Sequence, residues 1–310
     1  MPSLLSIIVP CFNEEESIVE VYNAIEKSCA EINHETIFVD DGSSDRTVLR
    51  VNELSEKDSS VSLVGFQKNI GHQHAIRAGL KKSKGTYILT LDADLQHPPS
   101  YISDMLQKGQ EGYDVVNMVR SGGQSGLFKN LFSKGFYWFF NLVSDVPIEP
   151  NVSDFRLMSR RVVDVLNSLP ERNLVLRIIL PYLGFKAYNM SFEIQERKFG
   201  SNSYTFYQSW RLAYNSIFNF SSLPLDIGLR LGVVIAGLAF LYGFYAIYGK
   251  LFTDNNLPGY TDIITSILFL GGIILVYLGI LGRYIGVILE HLKDRPEYLL
   301  NSDNKKSTED

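Results

Sequence analysis

The chain has 310 residues, enough for one substantial catalytic domain and a smaller appended module, and its formal net charge is −5. Its two cysteines, Cys11 and Cys29, exclude a disulfide framework, and neither has a Cys or His neighbour at zinc-ligand spacing. This cysteine usage favours a reducing, cytoplasmic compartment. The residues after Met1 lack a basic region followed by an apolar one, so no signal peptide is expected.

Short β-branched or aliphatic runs alternate with helix-like stretches over roughly the first 115 residues. The runs are Leu5–Val9, Thr36–Val39, Val61–Val64, Tyr87–Leu91 and Val115–Val119. This alternation predicts an α/β fold with a mostly parallel sheet. Ligands of such sheets bind outside the carboxyl ends of the strands, so the residues that end each run are candidates for a site.

Acidic and amide side chains follow the first two predicted strands, in Pro10–Glu16 and in Asp40–Asp45. A structural role stays open for both clusters, because Asp41-Gly42 fits an ordinary turn and Asn13 or Ser44 fits a helix cap. The chain contains neither Gly-x-Gly-x-x-Gly after the first strand nor a P-loop motif, which excludes these two nucleotide-binding devices. Carboxylates at strand ends can instead accept hydrogen bonds from a uracil N–H or a ribose hydroxyl.

Two carboxylates, Asp92 and Asp94, stand directly after the run Tyr87–Leu91. In an extended chain this spacing would point both side chains to one face, where their repulsion favours a cation between them. Mg²⁺ or Mn²⁺ with oxygen ligands from the protein and a diphosphate would meet this need. An EF-hand is excluded because its Gly and Glu positions hold His97 and Ser103, whereas a simple turn stays open.

Two segments near the C-terminus, Leu231–Tyr248 and Ile263–Gly282, contain no charged residue. Each has about the length that a helix needs to cross the ~30 Å hydrocarbon core, which predicts a transmembrane hairpin, with buried core helices as the alternative. Lys250 is the only Lys or Arg in the link, so both termini are expected in the cytoplasm. Tyr204–Phe220 fits an interfacial helix or an amphipathic core helix, and Asn301–Asp310 is expected to be disordered.

The order and spacing of five motifs resemble the polyisoprenyl-phosphate glycosyltransferases of glycosyltransferase family 2, a group that includes dolichol-phosphate mannose synthases and bactoprenol glucosyltransferases. The motifs are Val9-Pro10-Cys11-Phe12-Asn13-Glu14, Val39-Asp40-Asp41-Gly42-Ser43-Ser44-Asp45, Asn69-Ile70-Gly71-His72, Asp92-Ala93-Asp94-Leu95-Gln96 and Ser153-Asp154-Phe155-Arg156-Leu157. The resemblance covers nearly the whole chain. It implies a Rossmann-like GT-A fold and inverting transfer of a sugar from a UDP-sugar to polyprenyl phosphate. Glucose is the first expectation for the sugar and GlcNAc the second.

The resemblance also implies the site residues. Those expected around the nucleoside are Pro10, Asn13, Glu14, Asp40, Asp41, Lys68 and Asp92. Asp94 and Gln96 are expected around Mg²⁺ or Mn²⁺, and the catalytic group comprises Asp94, Asp154 and Arg156. Asp154 is a candidate base or orienting group.

The candidates for the lipid phosphate are Arg120, Arg156 and Arg197, because an arginine side chain presents a planar fork of donors. They fall in the segment from residue 120 to residue 230, which holds 13 Lys and Arg against 8 Asp and Glu. A surface ion pair is the alternative for each. Gly200–Tyr204 lacks the lysine that often follows the arginine motif in this family. His72 and His74 favour a structural or donor-contact role over a zinc site, since no third ligand accompanies them.

The predicted organisation is a catalytic domain over residues 1–203, interfacial helices over 204–226, two transmembrane helices over 227–290 and a cytoplasmic tail over 291–310. The expected location is the inner cell membrane. Homo-oligomerisation stays open, and no nucleic-acid partner is expected. Two other functions also stay open: a noncatalytic membrane scaffold that binds nucleotide sugar, and a processive polysaccharide synthase, whose Gln-x-x-Arg-Trp motif is met only in part by Gln208–Leu212.

Overall fold

The structure is a computed structural model that describes residues 4–121, 152–170, 175–193, 223–252, 259–293 and 298–301. Arg197 and the predicted interfacial segment up to residue 222 lie outside the described residues. The chain divides into two compact units. The first comprises Met1–Tyr137, Val146–Ser203 and Arg295–Asp310, and the second comprises Trp138–Asp145 and Tyr204–Asp294.

A seven-stranded mixed sheet forms the centre of the first unit, in the order β3-β2-β1-β4-β6-β5-β7. Its strands are β1 (Leu5–Cys11), β2 (His34–Asp40), β3 (Val61–Gly65), β4 (Tyr87–Thr90), β5 (Val115–Ser121), β6 (Val152–Ser159) and β7 (Ala187–Glu193). The strands β1 to β4 are parallel, whereas β6 runs antiparallel to both of its neighbours, β4 and β5. Because β5 is antiparallel to β6 and parallel to β7, both run in the same direction as β1 to β4. The prediction of a mostly parallel sheet is therefore confirmed, and β6 is its exception among the described strands.

Helices cover both faces of this sheet. They are α1 (Ile18–Ser28), α2 (Thr47–Ser55), α3 (His72–Lys82), α4 (Ile102–Gln110), α5 (Arg160–Ser168) and α6 (Leu176–Leu183). Side chains of β1 alternate between two buried clusters: Leu5, Ile7 and Val9 pack with α1, α2 and α4, whereas Ile8 packs with α3, α5 and α6. A strand that is apolar on both faces is typical of a sheet between two helical layers, because neither face meets water.

The antiparallel direction of β6 determines what meets at the carboxyl ends of β1 to β4. Thr90, the last residue of β4, lies opposite Arg156 of β6. The start of β6, which carries Asp154, therefore lies beside the residues that follow β4. The fold brings together two acidic motifs that are about 60 residues apart in the chain.

The second unit contains two long helices, α7 (Leu223–Phe252) and α8 (Tyr260–Leu292), so both predicted apolar segments are helical. Within α8, the 21 residues Phe269–Leu289 have a mean hydropathy of 2.1, and none of these residues is buried inside the protein. Among the described residues this is the one segment long and apolar enough to cross a membrane, because the apolar stretch of α7 is shorter, Gly228–Tyr242. A hairpin of two transmembrane helices is thus not confirmed.

Candidate active site

The loops that follow β1 and β2 are joined by hydrogen bonds. The backbone N–H of Asn13 donates to Ser43 Oγ at 2.9 Å, and Asn13 Oδ1 accepts from the backbone N–H of Ser44 at 2.8 Å. The backbone N–H of Glu14 donates to Thr47 Oγ1 at 2.8 Å. Asn13 has φ 54°, a left-handed conformation that asparagine tolerates better than most residues. These contacts give Asn13 a structural role, and its role in nucleoside binding stays a prediction.

Asp40 and Asp41 are buried at the end of β2, and both accept hydrogen bonds from backbone amides. Asp40 accepts from Ser43 at 3.2 Å, and Asp41 accepts from Ile70 at 2.7 Å and from Gly71 at 2.9 Å. Burial raises the pKa of both carboxyl groups, although these amides partly oppose the rise. Asp41 thereby holds the segment that follows β3 against the end of β2.

At Gly42 the backbone that follows β2 closely approaches the backbone that follows β3. The φ of Gly42 is +74°, and a Cβ built on this glycine would lie 2.5 Å from the carbonyl carbon of Lys68 and 2.7 Å from the nitrogen of Asn69. Only glycine allows both the left-handed backbone and this close approach. Six of the seven predicted nucleoside residues thus come from three adjoining strand ends, namely Pro10, Asn13, Glu14, Asp40, Asp41 and the exposed Lys68. The seventh, Asp92, follows β4.

Asp92 and Asp94, which follow β4, lie in a turn. The prediction that an extended chain points both side chains to one face is therefore wrong in its geometry. Asp94 Oδ1 accepts from the backbone N–H of Gln96 at 3.1 Å, and Leu95 has φ 57°. Burial raises the pKa of Asp92, repulsion from Asp154 and Asp94 adds to the rise, and the neighbouring His72 and His97 partly oppose it.

The donor set after β4 is compatible with a divalent cation but does not by itself complete a site. The described residues contain no group of three His, Cys, Asp or Glu side chains that could hold a metal ion. The carboxylates repel one another, and a hard cation would relieve that repulsion. The predicted ligands Asp94 and Gln96 would therefore need oxygen atoms of a bound diphosphate or water to complete the coordination.

Asp154 is the centre of an ion-pair network at the start of β6. Its carboxylate lies 3.2 Å from Arg156 Nη2, 3.6 Å from His72 Nε2 and 3.9 Å from Arg177 Nη2. Burial opposes ionisation of this carboxyl group, but the neighbouring imidazole of His72 and the charges of Arg156 and Arg177 outweigh it. They hold its pKa well below the usual range. Asp154 is consequently a weak base at neutral pH.

Arg156 faces inward. Its side chain is 1% exposed, and Nη2 donates to the Ser153 carbonyl at 2.9 Å as well as to Asp154. Arg120, in β5, is exposed. The binding of a lipid phosphate by Arg120, Arg156 or Arg197 stays a prediction, and the buried position of Arg156 favours a role in holding Asp154.

Two residues of the candidate site, Arg177 and His97, lie outside the five sequence motifs, so the sequence does not predict their roles. Arg177, in α6, is 39% exposed and reaches Asp154 because the fold packs α6 beside β6. His97 is 1% exposed, with Nε2 at 2.6 Å from Ser153 Oγ and Nδ1 at 3.4 Å from Asp92 Oδ2. His97 therefore links the turn after β4 to β6.

His72 lies between two carboxylates, with Nε2 at 3.5 Å from Asp92 and 3.6 Å from Asp154. Burial would lower the pKa of its imidazole, but the carboxylates outweigh burial and raise that pKa above its ordinary value. The sequence favours a structural or donor-contact role for His72. The structure places it inside the acidic group at the ends of β4 and β6.

Residues 6–166 match the family model of glycosyl transferase family 2, which spans about half of the chain. The chain therefore belongs to glycosyltransferase family 2, and its GT-A-like α/β fold with a mixed sheet agrees with that membership.

Similar proteins extend the likeness beyond the family model. The chain is 37% identical over 305 residues to the bactoprenol glucosyl transferase of Shigella phage SfV, covering 97% of this chain and 99% of the phage protein. It is 38% identical over 298 residues to the uncharacterized glycosyltransferase YkcC of Bacillus subtilis, covering 95% of this chain and 92% of that protein. Among solved structures, the mannosyltransferase PcManGT from Pyrobaculum calidifontis in complex with GDP-Man and Mn²⁺ is 16% identical, with a TM-score of 0.49 over 96% of this chain and 89% of that one.

Proposed function

We propose that this chain is an inverting glycosyltransferase that moves glucose from UDP-glucose to undecaprenyl phosphate or a similar polyprenyl phosphate at the cytoplasmic face of the membrane. The observation that carries the proposal is the likeness to a bactoprenol glucosyl transferase over the whole chain. A family member that only shared the catalytic domain would match the first unit and leave the helices α7 and α8 unmatched. The full-length likeness therefore supports a lipid acceptor as well as a sugar donor.

The interlocked loops after β1, β2 and β3 are proposed to bind the uridine. Their carboxylates and amides lie at the carboxyl edge of parallel strands, where ligands of α/β sheets bind. Asp94 and Gln96 would hold Mg²⁺ or Mn²⁺ beside the diphosphate. A bound cation would supply charge neutralisation for the departing UDP.

The acceptor needs little activation. A phosphate monoester has a second pKa of about 6, so its oxygen is already largely anionic at neutral pH. That oxygen would form a bond to the anomeric carbon while the bond from that carbon to UDP breaks, and UDP leaves with the electron pair. Displacement from the opposite side inverts the configuration at the anomeric carbon.

Asp154 is proposed to orient the cations around it, not to act as a general base. Its pKa lies well below the usual range because His72, Arg156 and Arg177 surround it, so it would hold a proton only weakly at neutral pH. Arg177 is the partly exposed arginine of this group and is a better placed candidate for the acceptor phosphate than the buried Arg156. Arg120 and Arg197 remain proposed phosphate contacts.

The second unit is proposed to anchor the enzyme in the inner membrane as two transmembrane helices within residues 227–290. Large apolar side chains along both helices are exposed, including Phe240 at 68% in α7 and Leu275 at 71% in α8. Lipid is the solvent that would make such exposure favourable. The proposal keeps residues 1–203 as the catalytic domain, 204–226 as interfacial helices and 291–310 as a cytoplasmic tail.

The test is transfer of radiolabel from a panel of UDP- and GDP-sugars to undecaprenyl phosphate in detergent, with Mg²⁺, Mn²⁺ or EDTA. We expect a labelled lipid from UDP-glucose that needs the divalent cation and disappears in Asp94→Ala. Labelled polymer would instead support a processive synthase. Binding of donor without any labelled product would support a noncatalytic scaffold.

A further inference from the structure

The segment Tyr298–Asn301, which follows α8 in the chain, is part of the first unit and packs at the end of β3. Asn301 belongs to the stretch that the sequence predicts to be disordered, and for this residue the prediction is wrong. The backbone N–H of Asn301 donates to the Gly65 carbonyl at 2.9 Å, and the backbone N–H of Gln67 donates to the Leu299 carbonyl at 3.1 Å. Leu300 and Phe66 form an antiparallel bridge. The segment thus pairs with the backbone at and just after the end of β3.

A side-chain contact reinforces these backbone bonds. The ring of Tyr298 stacks on Phe66 with centroids 4.7 Å apart and an interplanar angle of 21°. The ammonium group of Lys81, in α3, lies 5.7 Å from the centroid of the same tyrosine ring. Phe66 is 2% exposed, so Tyr298 helps to bury it between the strand end and α3.

The segment Tyr298–Asn301 adjoins the loop after β3, which is proposed to bind the nucleoside. The backbone N–H of Phe66 donates to the Asp40 carbonyl at 2.9 Å. The next residues, Gln67 to Gly71, are held on their other side by Gly42 and by the Asp41 carboxylate. This loop is therefore fixed between the end of β2 and the C-terminal segment.

We infer that Tyr298–Asn301 is a positioning element of the donor site, which holds the loop Gln67–Gly71 in the conformation that binds the UDP portion of the donor. The inference rests on the proposed function for the identity of the donor. It has a consequence for truncated proteins: a chain cut before α7 loses this segment together with the apolar helices. Such a chain would bind UDP weakly although the predicted catalytic residues Asp94 and Asp154 remain.

The test compares three full-length variants, Tyr298→Ala, Tyr298→Phe and Leu299→Ala. Leu299→Ala is the matched control, because its side chain is 59% exposed and its carbonyl oxygen remains. Hydrogen exchange of the amides from Gln67 to Gly71 reports on the loop, and calorimetric titration with UDP and Mn²⁺ reports on the site. For Tyr298→Ala we expect faster exchange in this loop and about fivefold weaker UDP binding, the scale of one lost aromatic pair. Tyr298→Phe and Leu299→Ala should resemble the wild type in both measurements.

Two truncated chains test the backbone hydrogen bonds of Leu299 and Asn301. A chain that ends at Glu297 should show at least the effect of Tyr298→Ala, whereas a chain that ends at Asn301 should behave as the wild type. Unchanged UDP affinity in both Tyr298→Ala and the chain ending at Glu297 would overturn the inference, whatever the exchange rates. Failure of the wild type to bind UDP would instead contradict the proposed function, and the exchange rates alone would then decide whether the segment holds the loop.

Discussion

The two halves of the candidate site are built in different ways. At the ends of β1, β2 and β3, side chains bond to backbone amides and the loops bond to one another, as Asp41 does with Ile70 and Gly71. At the ends of β4 and β6, charged side chains face other charged side chains, as Asp154 does with Arg156 and His72. Backbone-bonded loops form a surface of fixed shape, whereas clustered charges respond to a cation or a phosphate. We therefore propose that the first region recognises the donor and that the second carries out the reaction.

The largest effect is expected from Asp94→Ala, in the charged region. Loss of the carboxylate would remove the protein's hold on the proposed cation, which stabilises the departing diphosphate by several kcal/mol, so transfer should fall on the order of 10³-fold. Initial rates of lipid labelling measure the loss. The exposed Asp104→Ala, in α4, is the control and should retain the wild-type rate. A comparable rate in both variants would show that Asp94 is not part of the reaction centre.

Arg156→Met tests whether the charged region depends on its buried cation. The guanidinium is 1% exposed and paired with Asp154, so its removal leaves a poorly compensated carboxylate and should cost about 3 kcal/mol of folding free energy. Thermal unfolding in detergent measures the change in Tm. Arg161→Met, at a side chain that is 76% exposed, should leave Tm nearly unchanged. Equal Tm values for the two variants would contradict a structural role of the buried pair.

Gly42→Ala tests the backbone-bonded region. A methyl group there would lie 2.5 Å from the carbonyl carbon of Lys68, and the left-handed φ adds about 1 kcal/mol of strain, so UDP binding should weaken roughly tenfold. Gly112→Ala is the matched control, because Gly112 has φ +91° but nothing within 4 Å of its Cβ position. It should lower stability without changing the affinity for UDP. Equal UDP affinities in the two variants would remove the argument that this close approach shapes the donor site.

The smallest effect concerns pH. Because the pKa of Asp154 in the folded protein lies below its ordinary value, the carboxylate contributes to stability above about pH 4. That contribution is lost as the pH falls through the folded-state pKa. The difference in Tm between the wild type and Asp154→Asn should therefore be largest near pH 6 and shrink below about pH 4. A difference that stays constant with pH would show that the charge of Asp154 does not stabilise the fold.

The sequence predicts the first half of the sheet well, because β1 to β4 are apolar runs between recognisable loops. All five predicted runs fall within strands, apart from Leu91, which follows the end of β4. The sequence pattern does not predict β6 and β7 as strands. The direction of β6 depends on its pairing with β4 and β5, which a local pattern does not contain.

In the candidate site, too, the sequence predicts the residues that belong to local motifs and does not predict those placed by tertiary packing. Asp92, Asp94 and Asp154 are visible in the sequence because they belong to motifs that resemble a known family. Arg177 and His97 belong to no such motif, and their roles depend on tertiary packing around β6. The turn at Asp94 depends on a backbone hydrogen bond from Gln96, which the spacing of two carboxylates does not reveal. The packing of Tyr298 on Phe66 joins residues more than 200 positions apart.

The most direct test of sugar transfer to a lipid phosphate is a single-turnover measurement with enzyme in excess over UDP-glucose labelled in the glucose. After undecaprenyl phosphate is added, UDP release and lipid labelling are followed together. The account predicts one labelled lipid for each UDP released, with the glucose in the β configuration after inversion of the α-linked donor. Release of UDP with free glucose or polymer, or a product that retains the α configuration, would contradict it.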